Sequence, residues 1–309
     1  MSDNETEWFH RRGELARAGW QSVVDSSTPG WQHTGLKVGE CAPGTALELP
    51  EAAEERIIVP LVGRFEVTHT ENGVTTRTRL AGRDSVFAGP TDVLYLSAAA
   101  SAVIEGEGRV AVASSPTTRV HPTRHITAAE TPVELRGAGR SSRQVHNFGT
   151  PAALDAERLI VCEVITPAEN WSSYPPHKHD EHIDGHESRL EEIYYFESAP
   201  IAGGTAEPAS AFGMFSTYSS PAGEIDISAM VRTGDIALVP YGYHGPAVAA
   251  PGYDLYYLNV MAGPDPERAW LITEDPAHAW VRDTWTGQQP DPRLPYSSPI
   301  HTNPEKGGR

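Results

Sequence analysis

The two halves of the chain carry the same succession of sequence features, and this repetition limits the folds that the chain can adopt. Each half contains an acidic residue followed by a mostly apolar run, which is rich in aromatic residues in the second half, then a turn with glycine and aspartate, then a turn with glycine and proline. In the first half these features lie at 55–63, 82–84 and 89–90, and in the second half at 191–197, 234–235 and 240–242. Two related β units in one chain predict a tandem pair of jelly rolls.

The frequency of glycine and proline also favours an all-β fold. The 309 residues include 28 glycines and 26 prolines, which suits short strands joined by turns better than long helices. One such turn is Asn72-Gly73, a dipeptide typical of β-hairpins. We predict four parts, which are an N-terminal arm at 1–29, a first barrel without metal at 30–130, a metal-binding barrel at 131–285 and a polar, proline-rich tail at 286–309.

Charge and composition exclude several classes of protein. The net charge of −17 argues against nucleic acid and against anionic membrane surfaces, because little in the chain would neutralise phosphates. No run of about 18 apolar residues is present that could span a membrane. The two cysteines, Cys41 and Cys162, are far apart and exclude a disulfide scaffold. We therefore expect a soluble, cytoplasmic protein.

The segment Pro175-Pro176-His177-Lys178-His179 is the most informative motif for function. Side chains alternate along a strand, so His177 and His179 are expected to point to the same face. A tight turn at 240–243 leads to a third histidine, His244. Three imidazoles and one carboxylate from neighbouring strands would suit zinc, iron, manganese or nickel better than calcium or magnesium.

Two neighbouring carboxylates, Glu191 and Glu192, could complete this metal site. Both lie at the start of a predicted strand, and the alternation of side chains allows only one of them to face the histidines. The segment 180–189 has no strand periodicity and is predicted to be a solvated loop that supplies no ligand. Lys178 points away from the metal by the same alternation, so we predict a surface charge there.

Together these residues resemble the bicupin arrangement. The run Gly234-Asp235-Ile236-Ala237-Leu238-Val239-Pro240-Tyr241-Gly242-Tyr243-His244 follows the second cupin motif, with one residue fewer before the histidine. The long interval between His179 and Glu191 resembles one family closely, the 5-deoxy-glucuronate isomerases of inositol catabolism. The matching segments are 170–180, 190–195, 256–263 and 275–278, with 58–61 and 82–87 in the first half.

The resemblance implies an aldose–ketose isomerase of bicupin fold that converts 5-deoxy-D-glucuronate to 2-deoxy-5-keto-D-gluconate. It implies one divalent transition metal (zinc, manganese, iron or nickel), with His177, His179, Glu191 and His244 as ligands. Glu191 is preferred because it takes the position of the acidic ligand in the motif. The reaction needs a cation that stabilises developing negative charge and a group that moves a proton between neighbouring carbons.

Several residues could line the pocket and take part in this reaction. The candidates for the catalytic step are Tyr218, Tyr243, Tyr257 and Asn259, of which Tyr257 and Asn259 share one face of a predicted strand. Arg143 and Arg232 could bind a substrate carboxylate through paired N–H donors, although surface ion pairs are the commoner role of such residues.

Two other functional classes are compatible with the same ligands. An Fe(II)-dependent cupin dioxygenase would use three histidines and one glutamate, and oxygen uptake would distinguish it from an isomerase. A non-catalytic sugar-binding cupin would have a closed coordination sphere and no turnover. The expected partner is a small sugar acid, and a homo-oligomer is expected because exposed jelly-roll edges favour pairing.

Overall fold

The computed structural model describes residues 7–296, and most of its regular structure is β. In chain order the strands are β1 (Phe9–His10), β2 (Ser22–Val24), β3 (Gly35–Cys41), β4 (Ala46–Leu49), β5 (Glu54–Glu71), β6 (Val74–Arg83), β7 (Val93–Leu96), β8 (Ser101–Pro116), β9 (Arg124–Ile126), β10 (Val133–Arg136), β11 (Arg143–Gly149), β12 (Ile160–Thr166), β13 (Trp171–Ser172), β14 (His177–Lys178), β15 (Glu191–Pro200), β16 (Gly213–Ser220), β17 (Gly223–Val231), β18 (Ile236–Val239), β19 (Tyr243–Ala249), β20 (Tyr253–Ala262) and β21 (Thr273–Glu274). Short 3-10 helices lie at Val86–Ala88, Gly139–Ser141, Pro208–Ser210 and Ala279–Trp285. The predicted all-β class is confirmed.

The first β unit is an eight-stranded antiparallel sheet built on the long strands β5 and β8. The strand order is β2-β3-β8-β5-β7-β9, with β4 on β8 and β6 on β5. Its buried core includes Ile58, Phe65 and Ile104. The hairpin between β5 and β6 turns at Asn72-Gly73, where φ is 51° and 76°. These positive angles are the ones that a two-residue hairpin turn needs, and they explain the Asn-Gly dipeptide.

The second β unit contains two antiparallel sheets that face each other. The seven-stranded sheet has the order β1-β18-β15-β20-β12-β11-β10, and the other has the order β17-β16-β19-β14-β21, with β13 on β19. Aromatic rings fill the space between the sheets. The ring of Tyr194 lies 4.7 Å from that of Phe215 and 5.2 Å from that of Tyr257. This aromatic layer closes one side of the site described below.

The predicted arm pairs with both β units, and the described part of the predicted tail contacts the second unit. Strand β1 pairs with β18 of the second unit, and β2 pairs with β3 of the first. In the predicted tail, Gln144 Nε2 donates to the Tyr296 carbonyl at 3.0 Å. The remainder of the tail, 297–309, and residues 1–6 lie outside the described residues. The four-part division of the chain stays a prediction.

Two carboxylates make matching contacts across the junction of the two units. Glu55 on β5 accepts hydrogen bonds from the backbone N–H groups of 157–159 at 2.9, 2.7 and 2.6 Å. Glu191 on β15 accepts from the backbone N–H groups of 32–34 at 3.2, 2.6 and 2.6 Å. Each carboxylate thus anchors the chain segment that enters the other unit. We call these the crossed carboxylate contacts.

A buried ion pair also joins the two units. The Arg83 guanidinium of the first unit donates to both carboxylate oxygens of Glu163 in the second, at 2.7 and 2.6 Å. Tyr256 Oη donates to the same carboxylate at 2.7 Å, and His146 Nδ1 lies 2.6 Å from it. Both charged side chains are almost fully buried, at 2% and 0% exposure. Removing only one partner of such a buried ion pair strongly destabilises the fold, because the other charge stays buried without compensation.

A search of residues 7–296 for membrane-spanning helices finds none with sufficient length and apolar character.

Candidate metal centre and cavity

Three histidines of the second unit converge between its sheets. His177 on β14 lies opposite His244 on β19 in the strand register, and His179 follows β14 directly. The ring of His244 lies 4.5 Å from that of His177 and 4.7 Å from that of His179. One ring nitrogen of each histidine lies within 4.8 Å of the other two. The structure therefore brings together the three histidines that the sequence singles out.

The carboxylate beside these histidines belongs to Glu192, and the preference for Glu191 is wrong. Glu192 Oε2 lies 3.1 Å from Nε2 of His179 and 3.1 Å from Nε2 of His244. As the alternation along β15 predicts, only one of the two glutamates faces the histidines. Glu191 faces the other way and is held by the backbone N–H groups of 32–34. We call His177, His179, His244 and Glu192 the metal-site cluster.

Each histidine of the cluster directs its Nδ1 atom at a backbone carbonyl. The distances are 3.3 Å for His177 to Pro175, 3.0 Å for His179 to Leu190 and 3.1 Å for His244 to Gly242. Because a carbonyl oxygen only accepts hydrogen bonds, Nδ1 carries the proton and Nε2 keeps its lone pair in the neutral ring. Histidines that bind metals usually have their second nitrogen held in this way.

The charges within the cluster influence one another. Burial acts against the ionised form of Glu192, but the hydrogen bond with His179 and the closeness of both His179 and His244 outweigh it and lower the pKa of Glu192 to about 2. Burial likewise opposes a charged His179, yet the hydrogen bond to Glu192 raises the pKa of His179. Burial and the other two imidazoles lower the pKa of His177 well below its usual value. An ionised carboxylate and a neutral imidazole are the protonation states that coordinate metals.

One buried nitrogen of the cluster lacks a hydrogen-bond partner. His244 Nε2 lies 3.1 Å from Glu192 Oε2, but the contact does not have hydrogen-bond geometry. With the proton on Nδ1, this nitrogen and the carboxylate oxygen present two lone pairs to each other, an arrangement that a cation between them would relieve. Imidazole nitrogens and one carboxylate oxygen form a donor set for a divalent transition metal. The residues therefore fit such an ion.

Lys178 stands between His177 and His179 in the sequence. Its side chain is buried, so the predicted surface position is wrong. Its ammonium nitrogen lies 2.8 Å from Asp180 Oδ1, 2.6 Å from Glu181 Oε2 and 2.8 Å from Glu187 Oε1. The alternation does turn Lys178 away from the cluster, but the segment 180–189 folds over it. Asp180 and Glu187 are buried as well. The prediction of a solvated loop is wrong for these two residues.

Asp180 connects Lys178 to the turn that carries the third histidine. Asp180 Oδ2 accepts a hydrogen bond from the Gly242 N–H at 2.8 Å and another from Ser220 Oγ at 2.5 Å. The Gly242 carbonyl is in turn the acceptor for His244 Nδ1. The ion network of Lys178 therefore couples the position of β14 to that of His244.

Replacing Lys178 with methionine is expected to lower metal affinity by about 10- to 100-fold, because removal of a supporting group lets the ligands shift. It is also expected to lower the free energy of unfolding by about 3–5 kcal/mol, since buried carboxylates lose their cation. Metal retained after dialysis against a chelator and urea unfolding measure the two effects. Lys37→Met, in the first unit, is the control. Retention of metal at the wild-type level in Lys178→Met would contradict the role of the network.

A cavity of about 270 Å³ opens beside the metal-site cluster. His177 and Glu192 form part of its wall, and one face of the seven-stranded sheet, from β15 across to β10, forms much of the rest. The volume lies slightly below the usual range for ligand pockets, about 300–1,000 Å³, so only a small molecule would fit.

Two of the four predicted catalytic residues line this cavity. Tyr257 and Asn259 face it from β20, and Asn259 Nδ2 is buried without a hydrogen-bond partner. Tyr218 and Tyr243 are not part of its wall. Their rings stack on each other with centroids 5.4 Å apart, and Tyr218 Oη donates to Asp275.

The hydroxyl groups of Tyr194, Ser173 and Tyr257 form a chain along the cavity. Ser173 Oγ lies 3.2 Å from Tyr194 Oη and 3.1 Å from Tyr257 Oη. Burial raises the pKa of both phenols, so they stay protonated at neutral pH. They can therefore donate hydrogen bonds to a molecule in the cavity. Sequence reasoning did not single out Tyr194 or Ser173.

Three arginines belong to the cavity wall, and sequence reasoning named only one of them, Arg143; it missed Arg136 and Arg282. It preferred a surface ion pair for Arg143, but this residue is only 6% exposed. The positions of Arg136 and Arg282 beside the cavity depend on strand order and on the fold of the 264–285 segment, which no local pattern reveals. Arg232, the other arginine considered, donates to the Ala211 carbonyl at 3.2 Å and is not part of the wall.

Comparison with known sequences finds close relatives over most of the chain. The profile of the KduI/IolB family matches residues 8–281. The 5-deoxy-glucuronate isomerase of Geobacillus thermodenitrificans is 37% identical over 267 residues, covering 84% of this chain and 90% of that protein. The 5-deoxy-glucuronate isomerase of Lacticaseibacillus casei is 34% identical over 280 residues, covering 89% and 98%.

Comparison with solved structures finds proteins with a similar fold. An IolB-like protein from Salmonella typhimurium superimposes with a TM-score of 0.78 at 32% identity, covering 89% of this chain and 98% of that one. An oxalate decarboxylase from Lactobacillus farciminis gives a TM-score of 0.59 at 11% identity, covering 86% and 88%. The second likeness concerns the fold alone. Together with the two β units, it confirms the predicted bicupin architecture.

Proposed function

Because the chain belongs to the KduI/IolB family, we propose that it is a metal-dependent aldose–ketose isomerase that converts 5-deoxy-D-glucuronate to 2-deoxy-5-keto-D-gluconate in myo-inositol catabolism. The relatives named 5-deoxy-glucuronate isomerase are 34% to 38% identical to it over most of its length. These comparisons confirm the predicted family and the predicted class of enzyme, an isomerase. The substrate and the metal dependence are the proposal.

The observation that carries the proposal is the metal-site cluster at the wall of a small cavity. Nε2 of the three histidines and the Glu192 carboxylate would hold one divalent transition ion. When bound, such an ion supplies Lewis acid chemistry that stabilises the negative charge developing on substrate oxygens. Zinc, manganese, iron and nickel all suit this donor set.

The chain's own residues would orient the sugar acid and handle its protons. Asn259 Nδ2 and the protonated phenols of Tyr194 and Tyr257 donate hydrogen bonds to substrate oxygens, which fixes the C–H bond that must be broken. Tyr194, Ser173 and Tyr257 also form a continuous chain of hydroxyl groups. This chain gives a proton a path between neighbouring carbons of the substrate.

Replacing His244 with alanine tests the proposal. The variant is expected to lose at least about 100-fold in metal affinity, because a ligand should matter more than the groups that merely orient ligands. Turnover should fall with it. Metal analysis of the purified protein and an NMR assay of aldehyde-to-ketone conversion measure the two quantities. Full turnover by His244→Ala without bound metal would overturn the proposal.

A matched histidine and an oxygen electrode complete the test. His182 is 56% exposed and pairs with Asp265, so His182→Ala should keep both metal and turnover. An Fe(II)-dependent dioxygenase would consume oxygen with the substrate, whereas an isomerase would not. Tight metal binding with no turnover of any sugar acid would instead favour a sugar-binding cupin. The homo-oligomer and the cytoplasmic location stay predictions.

A further inference from the structure

Two arginines on neighbouring strands line the end of the cavity that is farthest along the strand order from Glu192. Arg143 lies on β11 and Arg136 on β10, which are three and four strands from β15 in the sheet order. At about 4.8 Å per strand, their backbones are about 14–19 Å from the strand of Glu192. Their long side chains reach back into the cavity that Glu192 also lines. The cavity wall therefore has Glu192 and His177 at one side, and three arginines together with Glu134 at the other.

Arg136 and Arg143 are directly opposite each other in the antiparallel register. Like charges in this position destabilise a sheet unless something of opposite charge lies between or beside them. Glu134 provides that for Arg136, with contacts of 3.1 and 2.8 Å. Arg143 has no carboxylate partner among residues 7–296. Its Nη1 donates to the Ser141 carbonyl at 3.0 Å.

Arg282, which forms an ion pair with Glu274, contributes a third guanidinium group to the same cavity wall. The guanidinium carbon of Arg282 lies 5.2 Å from the ring centre of Trp285, and that of Arg143 lies 5.7 Å from the same ring. Burial lowers the pKa of Arg143 to about 10, and the positive charges of Arg136 and Arg282 act in the same direction. Arg143 thus stays positively charged at neutral pH although it is buried. A buried charge of this kind is stabilised by a hydrogen-bonded anion.

We propose that Arg143, with Arg136 and Arg282 beside it, forms a subsite that binds the carboxylate of a sugar acid. A guanidinium group can hold a carboxylate through two parallel N–H bonds, which fixes orientation as well as charge. With its carboxylate at the arginines, a six-carbon acid extends its other end toward the metal-site cluster. This orientation rests on the proposed isomerase function, whereas carboxylate binding does not. Neutral sugars bind poorly because they leave Arg143 buried and unpaired.

Binding calorimetry with two unreactive probes tests the subsite. D-gluconate carries a carboxylate, and D-glucitol is its neutral counterpart. The wild-type protein is expected to bind gluconate more tightly than glucitol, and Arg143→Gln is expected to weaken gluconate binding by about 10- to 100-fold, the range for hydrogen bonds to a charged group. Glucitol binding and the metal content should be unchanged. Arg140→Gln is the control, because Arg140 is 68% exposed and pairs with Glu169.

Several outcomes would overturn the subsite. They are equal affinity of the wild-type protein for the two probes, wild-type gluconate affinity in Arg143→Gln, and an equal loss in Arg140→Gln. If Arg143→Gln does not fold, Arg282→Gln replaces it, since Arg282 is 44% exposed, and a loss of gluconate affinity without a loss for glucitol is again required. Gluconate selectivity that depends on Arg143 in a protein without isomerase activity would support the subsite and refute the proposed function.

Discussion

Glu192→Gln is expected to lose most of its bound metal and at least about 100-fold in kcat/KM, while its fold is retained. Glutamine keeps the size of the side chain but removes the negative charge that faces His179 and His244 at 3.1 Å. A neutral amide is a weaker ligand than a carboxylate, and the loss should exceed that for a supporting group, which is about 10- to 100-fold. Metal analysis, steady-state kinetics and circular dichroism measure the three properties.

Glu191→Gln is the matched control for this experiment, because the two glutamates are adjacent and both are buried. An amide oxygen can replace only part of the hydrogen bonding of Glu191 with the 32–34 backbone, so a loss of about 1–3 kcal/mol in unfolding free energy is expected. The metal content of the folded protein should not change. The opposite pattern, with metal lost in Glu191→Gln and kept in Glu192→Gln, would return the ligand role to Glu191.

Glu163→Gln is expected to lower the free energy of unfolding by about 3–5 kcal/mol, which is the usual cost of removing one partner of a buried ion pair. The substitution leaves the Arg83 guanidinium buried between the two units without its counter-charge. Urea unfolding at neutral pH measures the change. Asp84→Asn removes an exposed pair with Arg64, 3.2 Å long, and should change stability by less than about 1 kcal/mol. Equal effects of the two substitutions would contradict this account.

The ion pair of Arg83 and Glu163 also makes the free energy of unfolding depend on pH. Burial opposes the charge of Glu163, but Arg83 and His146 outweigh it and lower its pKa from 4.5 to about 2. A lowered pKa means that the folded state binds the proton less readily than the unfolded chain does. The contribution, about 3 kcal/mol, is complete above pH 4.5 and is lost as the pH falls toward 2. Glu163→Gln should remove this part of the pH dependence.

The strand pattern of the sequence was sufficient to predict the architecture. Apolar runs separated by glycine and proline predict short strands. The similarity of the segments 55–63 and 191–197 predicts two related units. Asn72-Gly73 predicts a hairpin that the structure contains. The predicted arm and tail illustrate the limit of this reasoning. Strand β1 pairs with the second unit, far along the chain, and no local pattern specifies such a partner.

The site was predictable only where local spacing determines geometry. The pair His177 and His179 follows from strand alternation, but the choice between Glu191 and Glu192 depends on which face of β15 meets the histidines. That choice is decided by the 32–34 backbone, about 160 residues away in sequence, which binds Glu191. The sequence also could not decide between the two roles considered for Arg143, carboxylate binding and a surface ion pair, because its burial depends on distant segments of the chain.

The crossed carboxylate contacts make the two β units mutually dependent. A fragment that began after the first unit would leave Glu191 as an unsatisfied negative charge, one residue from the carboxylate that faces the histidines. A fragment that ended before the second unit would do the same to Glu55. Neither half is therefore a complete protein when separated. The unit without the histidine cluster thus takes part in shaping the site of the other unit, because its backbone holds Glu191 on the face of β15 that points away from the histidines.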